Sequence, residues 1–403
     1  MERRKFLNYS SSLLILQLLT GCGSKPKEQQ LQVMLLKDSI PGQIVGTFSQ
    51  FVKKPVELKF FPVQQISSLF NKLQSWEDPK NTQEEPNPIS RLFSWLPFFK
   101  SDPTIPDLVT LGDYWMKDAI EQKLIQPVDN ISQVSHWKTL DSKWKQLVKR
   151  NDKGEINQQG KIWGAPYRWG STVIIYRKDK FKELGWTPQD WSDLFKPELR
   201  SRISVLDQPR ETIGLVLKKL GKSYNTENLD AVPQLESELR ALGKQIKFYS
   251  SNRYIEPLLI GDTWLAVGWS NDILSIISRY PQLGIAIPSS GTALWTDVWV
   301  RPVKKGKIKE STDKSSQVQD NKDELFYKWI NFCWEPSASK QIALITKANS
   351  PIVSDVSAED ISEPLQKVLQ GNSEILDKSE FLQPLSEQVS QKYDSLFAVM
   401  KES

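Results

Sequence analysis

Two apolar, aromatic-rich stretches constrain this chain more than anything else in it. The first is Gly160–Tyr176, GKIWGAPYRWGSTVIIY. Gly160 and Gly164 punctuate its start, and Thr172-Val173-Ile174-Ile175-Tyr176 is a β-branched run suited to a buried strand. The second is Gly291–Pro302, GTALWTDVWVRP, of the same character with one acid, Asp297, inside it. Two such strands, so far apart in sequence, suggest a chain that passes between two lobes and returns. A ligand cleft would then lie beside the crossings. Two ordinary core strands of one sheet would read the same way. The length, 403 residues, favours two lobes over a single domain.

The first twenty-two residues read as a targeting segment. Arg3, Arg4 and Lys5 precede the apolar run Leu13–Leu19, which is too short to span a bilayer as a helix. Leu19-Thr20-Gly21-Cys22 reads as a lipobox, with cleavage before Cys22 and a lipid on its thiol. Glu2–Asn8, ERRKFLN, fits a twin-arginine export motif. Residues 1–21 are therefore expected to be a lipoprotein signal peptide and 22–30 a polar tether. The body would lie outside the cytoplasm, periplasmic and anchored to a membrane by the lipidated Cys22. Removal of the signal takes two of the formal five positive charges with it. What remains is too mild to imply a nucleic-acid partner.

Between these landmarks strands and helices alternate in the rhythm of an α/β fold. Strands are expected at Leu31–Leu36, Val56–Phe61, Asp107–Gly112, Arg202–Asp207, Lys247–Tyr249, Thr263–Trp269 and Leu283–Pro288. Helical spacing marks Ile44, Phe48 and Phe51, then Ser67–Leu73, Met116–Lys123, Pro209–Gly221, Ser223–Leu242, Asp272–Arg279, Glu324–Cys333, Ser337–Leu344 and the tail from Glu363 to Lys401. Ser75–Pro106 breaks the rhythm with six prolines and reads as an inserted loop. Its apolar octet, Leu92–Phe99, would either contact a lipid or partner or fold back onto its own lobe. Val303–Asp323 reads as a polar insertion, disordered or a long hairpin. Fifteen tryptophans supply flat apolar area for ligand stacking, interfaces or core.

The usual catalytic and metal signatures do not occur. His136 is the one histidine, and Cys22 and Cys333 are the two cysteines, so no N/S metal shell can be assembled from sequence. There is no G-x-S-x-G nucleophile elbow. Paired carboxylates remain compatible with the composition, which keeps an exported hydrolase open as a rival class.

Taken together, the lipobox, GKIWGAPYRWGSTVIIY, WSDLFKPELRSRISVLDQPRETIG, LGKSYNTENLDAV, LAVGWSND and LWTDVWVRP resemble the spermidine/putrescine-binding proteins of bacterial ABC importers. The similarity covers nearly the whole mature chain apart from the two insertions. It implies a two-lobed periplasmic-binding fold, type II-like, with a mixed sheet flanked by helices in each lobe and hinge strands between them. Lobe 1 would hold 31–171 plus 298–355, with insertions at 75–106 and 303–323. Lobe 2 would hold 172–297 plus 356–403. The resemblance also implies a binding protein and not an enzyme, no cofactor, an ABC permease as partner, and a polyamine-like cation as ligand.

The resemblance carries over to named residues. Trp269 and Trp295 would wall the ligand, Asp297 would clamp an amine within its chain, Glu211 would take a terminal amine, and Tyr114 would line the site. Three departures stand against this. Leu36-Lys37-Asp38-Ser39 replaces aromatic and hydroxyl residues, so Lys37 would repel an amine if it reached the cleft. Gln208 replaces an acid, and Gly112 replaces a serine before the tyrosine. The polyamine's identity is left open, as is a neutral solute such as a sugar.

Overall fold

The computed structural model describes residues 29–54, 56–77, 105–304, 313–352 and 373–403. The signal peptide, Cys22 and the apolar octet at 92–99 lie outside these residues. The chain opens with β1 (Gln29–Leu36), α1 (Gly42–Val52), β2 (Val56–Val63), α2 (Ile66–Glu77) and β3 (Leu108–Gly112). In α1 the buried residues are Ile44, Phe48 and Val52, one face at a four-residue repeat. β1 pairs in parallel with both β2 and β3. The connection continues through α3 (Met116–Glu121), β4 (Ile125–Gln126), α4 (Ser142–Val148), β5 (Lys149–Arg150) and β6 (Lys161–Ile162).

β7 (Ala165–Arg177) comes next, and it belongs to two sheets. Its first half, through Ser171, pairs antiparallel with β12 (Ala293–Pro302). From Thr172 onward it pairs antiparallel with β10 (Leu265–Trp269) and β11 (Leu283–Ala286). Such a strand has to be buried on both faces, and eleven consecutive residues of β7 are buried. Its second sheet is completed by β8 (Ile203–Val205) and β9 (Ile246–Tyr249), in the order β7-β10-β8-β9. Helices α5 (Lys178–Leu184), α6 (Pro209–Lys219), α7 (Leu235–Gly243), α8 (Glu256–Ile260) and α9 (Ser270–Ile276) connect these strands. Pro209 sits at the first position of α6, where its missing N–H costs nothing.

The core divides in the same way. One large cluster lies under the first sheet, where Tyr167 stacks on Trp299 at 4.2 Å and Trp329 meets Trp299 edge-on at 5.9 Å. Each such ring pair adds about 0.5–1.5 kcal/mol beyond its buried area. Two smaller clusters lie on either face of the second sheet. Eight of the fifteen tryptophans are buried, so most of that richness is core. The first lobe is closed by α10 (Asp313–Trp334) and α11 (Pro336–Thr346). α12 (Ser373–Lys378), β13 (Glu380–Phe381) and α13 (Glu387–Lys401) follow, and α13 packs on α7 and α6 of the second lobe.

The structure corrects several boundaries. Gln29 and Gln30, expected in the tether, are the first residues of β1 and pair with Val56 and Glu57. The helix expected over Ser223–Leu242 is a turn, a short 3-10 segment at Leu229–Ala231 and then α7, because Asn228 and Pro233 interrupt the apolar spacing. The polar insertion expected through Asp323 contains the start of α10 at Asp313. Leu294–Asp297, placed with the second lobe, pair with Ser171–Arg168 in the first sheet.

Candidate functional site

The site is built on the face of β7 that carries residues 168, 170 and 172, two apart along an extended chain. A bulge sets the first of them. Asp297 pairs with Arg168 and Val298 with Pro166, so Tyr167 is the extra residue, and Arg168 is turned directly opposite Asp297. Arg168 Nε donates to Asp297 Oδ2 at 2.6 Å, and both residues are only 4% exposed. The guanidinium also lies 5.8 Å from the centre of the Trp295 ring. Burial penalises the Arg168 charge, but Asp297 and Tyr167 together more than restore it. Burial pushes the Asp297 carboxyl up, and Arg168 only partly offsets this.

Gly170 makes room for the next part. A Cβ there would fall 2.3 Å from the Trp295 ring and 2.8 Å from Ser270 Oγ, so only glycine lets Trp295 lie against the strand. Ser270 Oγ accepts the Ser171 N–H at 3.2 Å, which ties the start of α9 to the crossing. Thr172 begins the second sheet, and its hydroxyl donates to Glu211 Oε2 at 2.8 Å. The other Glu211 oxygen accepts the Trp269 indole N–H at 3.3 Å. Glu211 comes from the first turn of α6 and is 7% exposed. Burial pushes its carboxyl up, while Thr172 and Trp269 pull it down less strongly. Among the described residues it makes no ion pair.

Supporting groups hold these in place. Tyr254 Oη accepts the Trp269 N–H at 3.0 Å and donates to Asp272 Oδ2 at 2.8 Å. Gly268 is required there, because a Cβ would sit 1.8 Å from the Tyr254 ring. On the other lobe, Asp113 at the end of β3 accepts the Thr296 N–H at 2.9 Å and is 4% exposed. Burial raises its carboxyl to about 7 against the pull of Thr296 and Arg150, and Asp297 pushes the same way as burial.

The residues expected from sequence separate into two groups. Trp269 and Trp295 are half-buried beside Glu211 and Arg168, and Tyr114 is half-buried at the end of β3. The Tyr114 hydroxyl is raised by burial and feels Arg210 and Asp394 from the second lobe. Lys37 and Gln208 are exposed, and among the described residues neither side chain bonds to the acids of the site. Asp297 differs from the expectation in a physical respect. It already carries an ion pair within the chain, to Arg168. Arg168, Thr172 and Tyr254 are site groups that sequence reasoning does not reach. Arg168 did carry a signal, being the one charged residue within Gly164–Tyr176. Arg210, next to Glu211, makes no ion pair with it, although its charge acts on both Glu211 and Tyr114. Its guanidinium lies 4.9 Å over the Tyr393 ring and donates to Asn225 and to the Gln383 carbonyl.

A family model described as a bacterial extracellular solute-binding protein matches residues 103–378, more than half of the chain. Over 269 residues the chain is 29% identical to the putrescine-binding periplasmic protein of Escherichia coli (strain K12), covering 62% of this chain and 67% of that one. It is 33% identical over 153 residues to a putrescine/cadaverine-binding protein of Pseudomonas aeruginosa, covering 34% of this chain and less than half, 42%, of that one. The fold is similar to that of a spermidine/putrescine ABC transporter substrate-binding protein from Streptococcus pneumoniae, solved in complex with calcium and HEPES. The TM-score there is 0.71 at 19% identity, over 93% of this chain and 99% of that one.

Proposed function

The chain belongs to the bacterial extracellular solute-binding proteins, which carry ligands and are not enzymes, and we propose that it binds an aliphatic amine of the polyamine class between its lobes for delivery to an ABC permease. One observation carries the ligand class. Glu211 is a buried carboxylate that meets only neutral donors, the Thr172 hydroxyl and the Trp269 indole. Two hydrogen bonds leave a carboxylate further acceptor positions, and a buried acid without a cation is costly until one arrives. Trp269 and Trp295 provide flat apolar area for methylenes and π-faces for the charge. The names of the relatives support the same class of ligand. Among the described residues no helix is long and apolar enough to cross a membrane. We assign membrane attachment to a lipid on Cys22, on the sequence Leu19-Thr20-Gly21-Cys22, with export by either the Sec or the twin-arginine route.

Isothermal titration of the parent and of Glu211→Gln with putrescine, cadaverine and spermidine tests the ligand class. The parent should bind an aliphatic amine, and Glu211→Gln should lose at least about tenfold in affinity, as expected for a charge-assisted bond reduced to a neutral one. Equal affinity in the two proteins would remove Glu211 from the site and with it the cation reading.

A further inference from the structure

The proposal of an amine-binding cleft leaves one fact unabsorbed: the second buried acid of the site already has a cation. Arg168 faces Asp297 across β7 and β12, bonds to it at 2.6 Å, and lies over Trp295. These are the contacts an ammonium on a ligand would make there. The ligand's inner charge is thus supplied by the chain itself. We propose that Arg168 is a specificity-determining residue, which fills the inner ammonium position and selects an aliphatic amine ending in a hydrogen-bond acceptor over a diamine of the same length.

This inference rests on the reading of Glu211 as the ammonium pole. The two poles lie on one face of β7, Arg168 at one end and Thr172, which holds Glu211, four residues on. At about 3.3 Å per residue that is about 13 Å of strand, with the Trp295 ring lying against Gly170 between them. A four- or five-carbon chain fits along that line once the side chains reach inward. At the Glu211 end its ammonium meets an acid with no ion pair among the described residues. At the other end a second ammonium meets a guanidinium. Arg168 meets Asp297 through Nε, and the Tyr167 hydroxyl also acts on its guanidinium. Its two terminal nitrogens carry the fork of N–H groups that a carboxylate fits. The other acids nearby have hydrogen-bond partners of their own, and Asp272 also feels the Arg168 charge. Asp272 accepts from the Tyr254 hydroxyl and from Asn271, and Asp113 accepts from the Thr296 backbone. The chemical class that fits both ends is an ω-amino carboxylic acid.

Matched pairs isolate the far end of the ligand. The full-length chain in detergent is titrated with putrescine against 4-aminobutyrate and with cadaverine against 5-aminopentanoate. Each pair keeps its carbon count and exchanges one ammonium for a carboxylate. The parent should prefer the amino acid of each pair by tenfold or more. Arg168→Met should reverse the order, because Asp297 is then free for an amine. Arg168→Met with Asp297→Asn removes the pair without leaving a buried charge, and should bind both members about equally. A parent that binds the diamine as tightly as the amino acid, with Glu211→Gln weakening both, would overturn the role of Arg168 and leave the amine cleft standing. An unchanged preference in the double variant would overturn it as well. A parent that binds none of the four compounds overturns both proposals.

Discussion

The two ends of the β7 face hold their acids in opposite ways. Asp297 is answered by a cation of the chain's own, at ion-pair distance and nearly without solvent. Glu211, four residues along the same face through Thr172, is answered by a hydroxyl and an indole, both neutral. A buried ion pair is a closed unit: the interaction between its members must offset the desolvation of both. A buried carboxylate held by neutral donors is an open one, with no cation bonded to it. Burial alone therefore does not mark a ligand-binding acid. The identity of its partners does, and by that measure the Glu211 end is poised for a cation and the Asp297 end is not.

The largest effect that separates the two ends is on stability. Arg168→Met leaves Asp297 buried and unpaired beside Asp113, and breaking a buried pair in this way costs about 3–5 kcal/mol. Urea unfolding should show that loss, and adding Asp297→Asn should recover most of it. Glu211→Gln, which removes a charge that no protein cation pairs directly among the described residues, should move the unfolding midpoint far less. Similar losses in Arg168→Met and Glu211→Gln would break the comparison, since both acids would then be structural.

A somewhat smaller effect lies at Asp113, which adjoins the paired end. Its carboxyl is raised from 3.8 to about 7, chiefly by burial, with Arg150 and Thr296 opposing and Asp297 reinforcing. The native state thus keeps this proton at pH values where the unfolded chain has lost it. Its contribution is full below the unfolded value, is lost as pH rises from there through about 7, and is flat above. At about 1.4 kcal/mol per pH unit the whole change is worth up to about 4 kcal/mol. Asp113→Asn keeps an acceptor for the Thr296 N–H and should flatten the dependence of unfolding free energy on pH between 5 and 8. If parent and variant fall in parallel over that range, other cleft acids carry the pH dependence.

The same contrast explains what could be read from the chain beforehand. The crossing strand was legible at Thr172-Val173-Ile174-Ile175, because a β-branched run without polar relief has to be buried on both faces. Strand β2 and the face of α1 were legible from period, and β1 and β3 as short apolar runs. The polar insertion around 303–323 was not, since α10 begins at Asp313 among residues with no apolar periodicity. At the site, Trp269, Trp295, Glu211 and Asp297 were reached through resemblance and not through spacing. What the residues could not reveal was pairing across the sheet. Asp297 looked unpaired because its partner lies 129 positions away and depends on a bulge at Tyr167 for its direction. The stacking of Arg210 on Tyr393 was hidden for the same reason, being a contact set by the docking of α13.

The smallest effect is the sharpest test that the two ends act separately. Gln208 is the N-cap of α6, in extended conformation, and its side chain makes no capping bond. Asp at that position can accept an N–H of the first turn, which is worth about 0.5–1 kcal/mol, and its charge lies at the positive end of the helix. Gln208→Asp should therefore raise the stability of the ligand-free protein slightly. It also adds a second acid to the end that holds Glu211. Because Gln208 is exposed, the gain for a bound ammonium is that of a screened surface charge, at most about 1 kcal/mol or roughly fivefold in affinity. That gain should be the same for cadaverine and for 5-aminopentanoate, since both present an ammonium to Glu211. The ratio of their affinities should stay where Arg168 sets it. Titration of both compounds into Gln208→Asp at low and at high salt measures this directly. A ratio that shifts toward the diamine by more than the common gain would mean that the second amine, and not only the first, is read at the Glu211 end, and the division of labour between Arg168 and Glu211 would have to be redrawn.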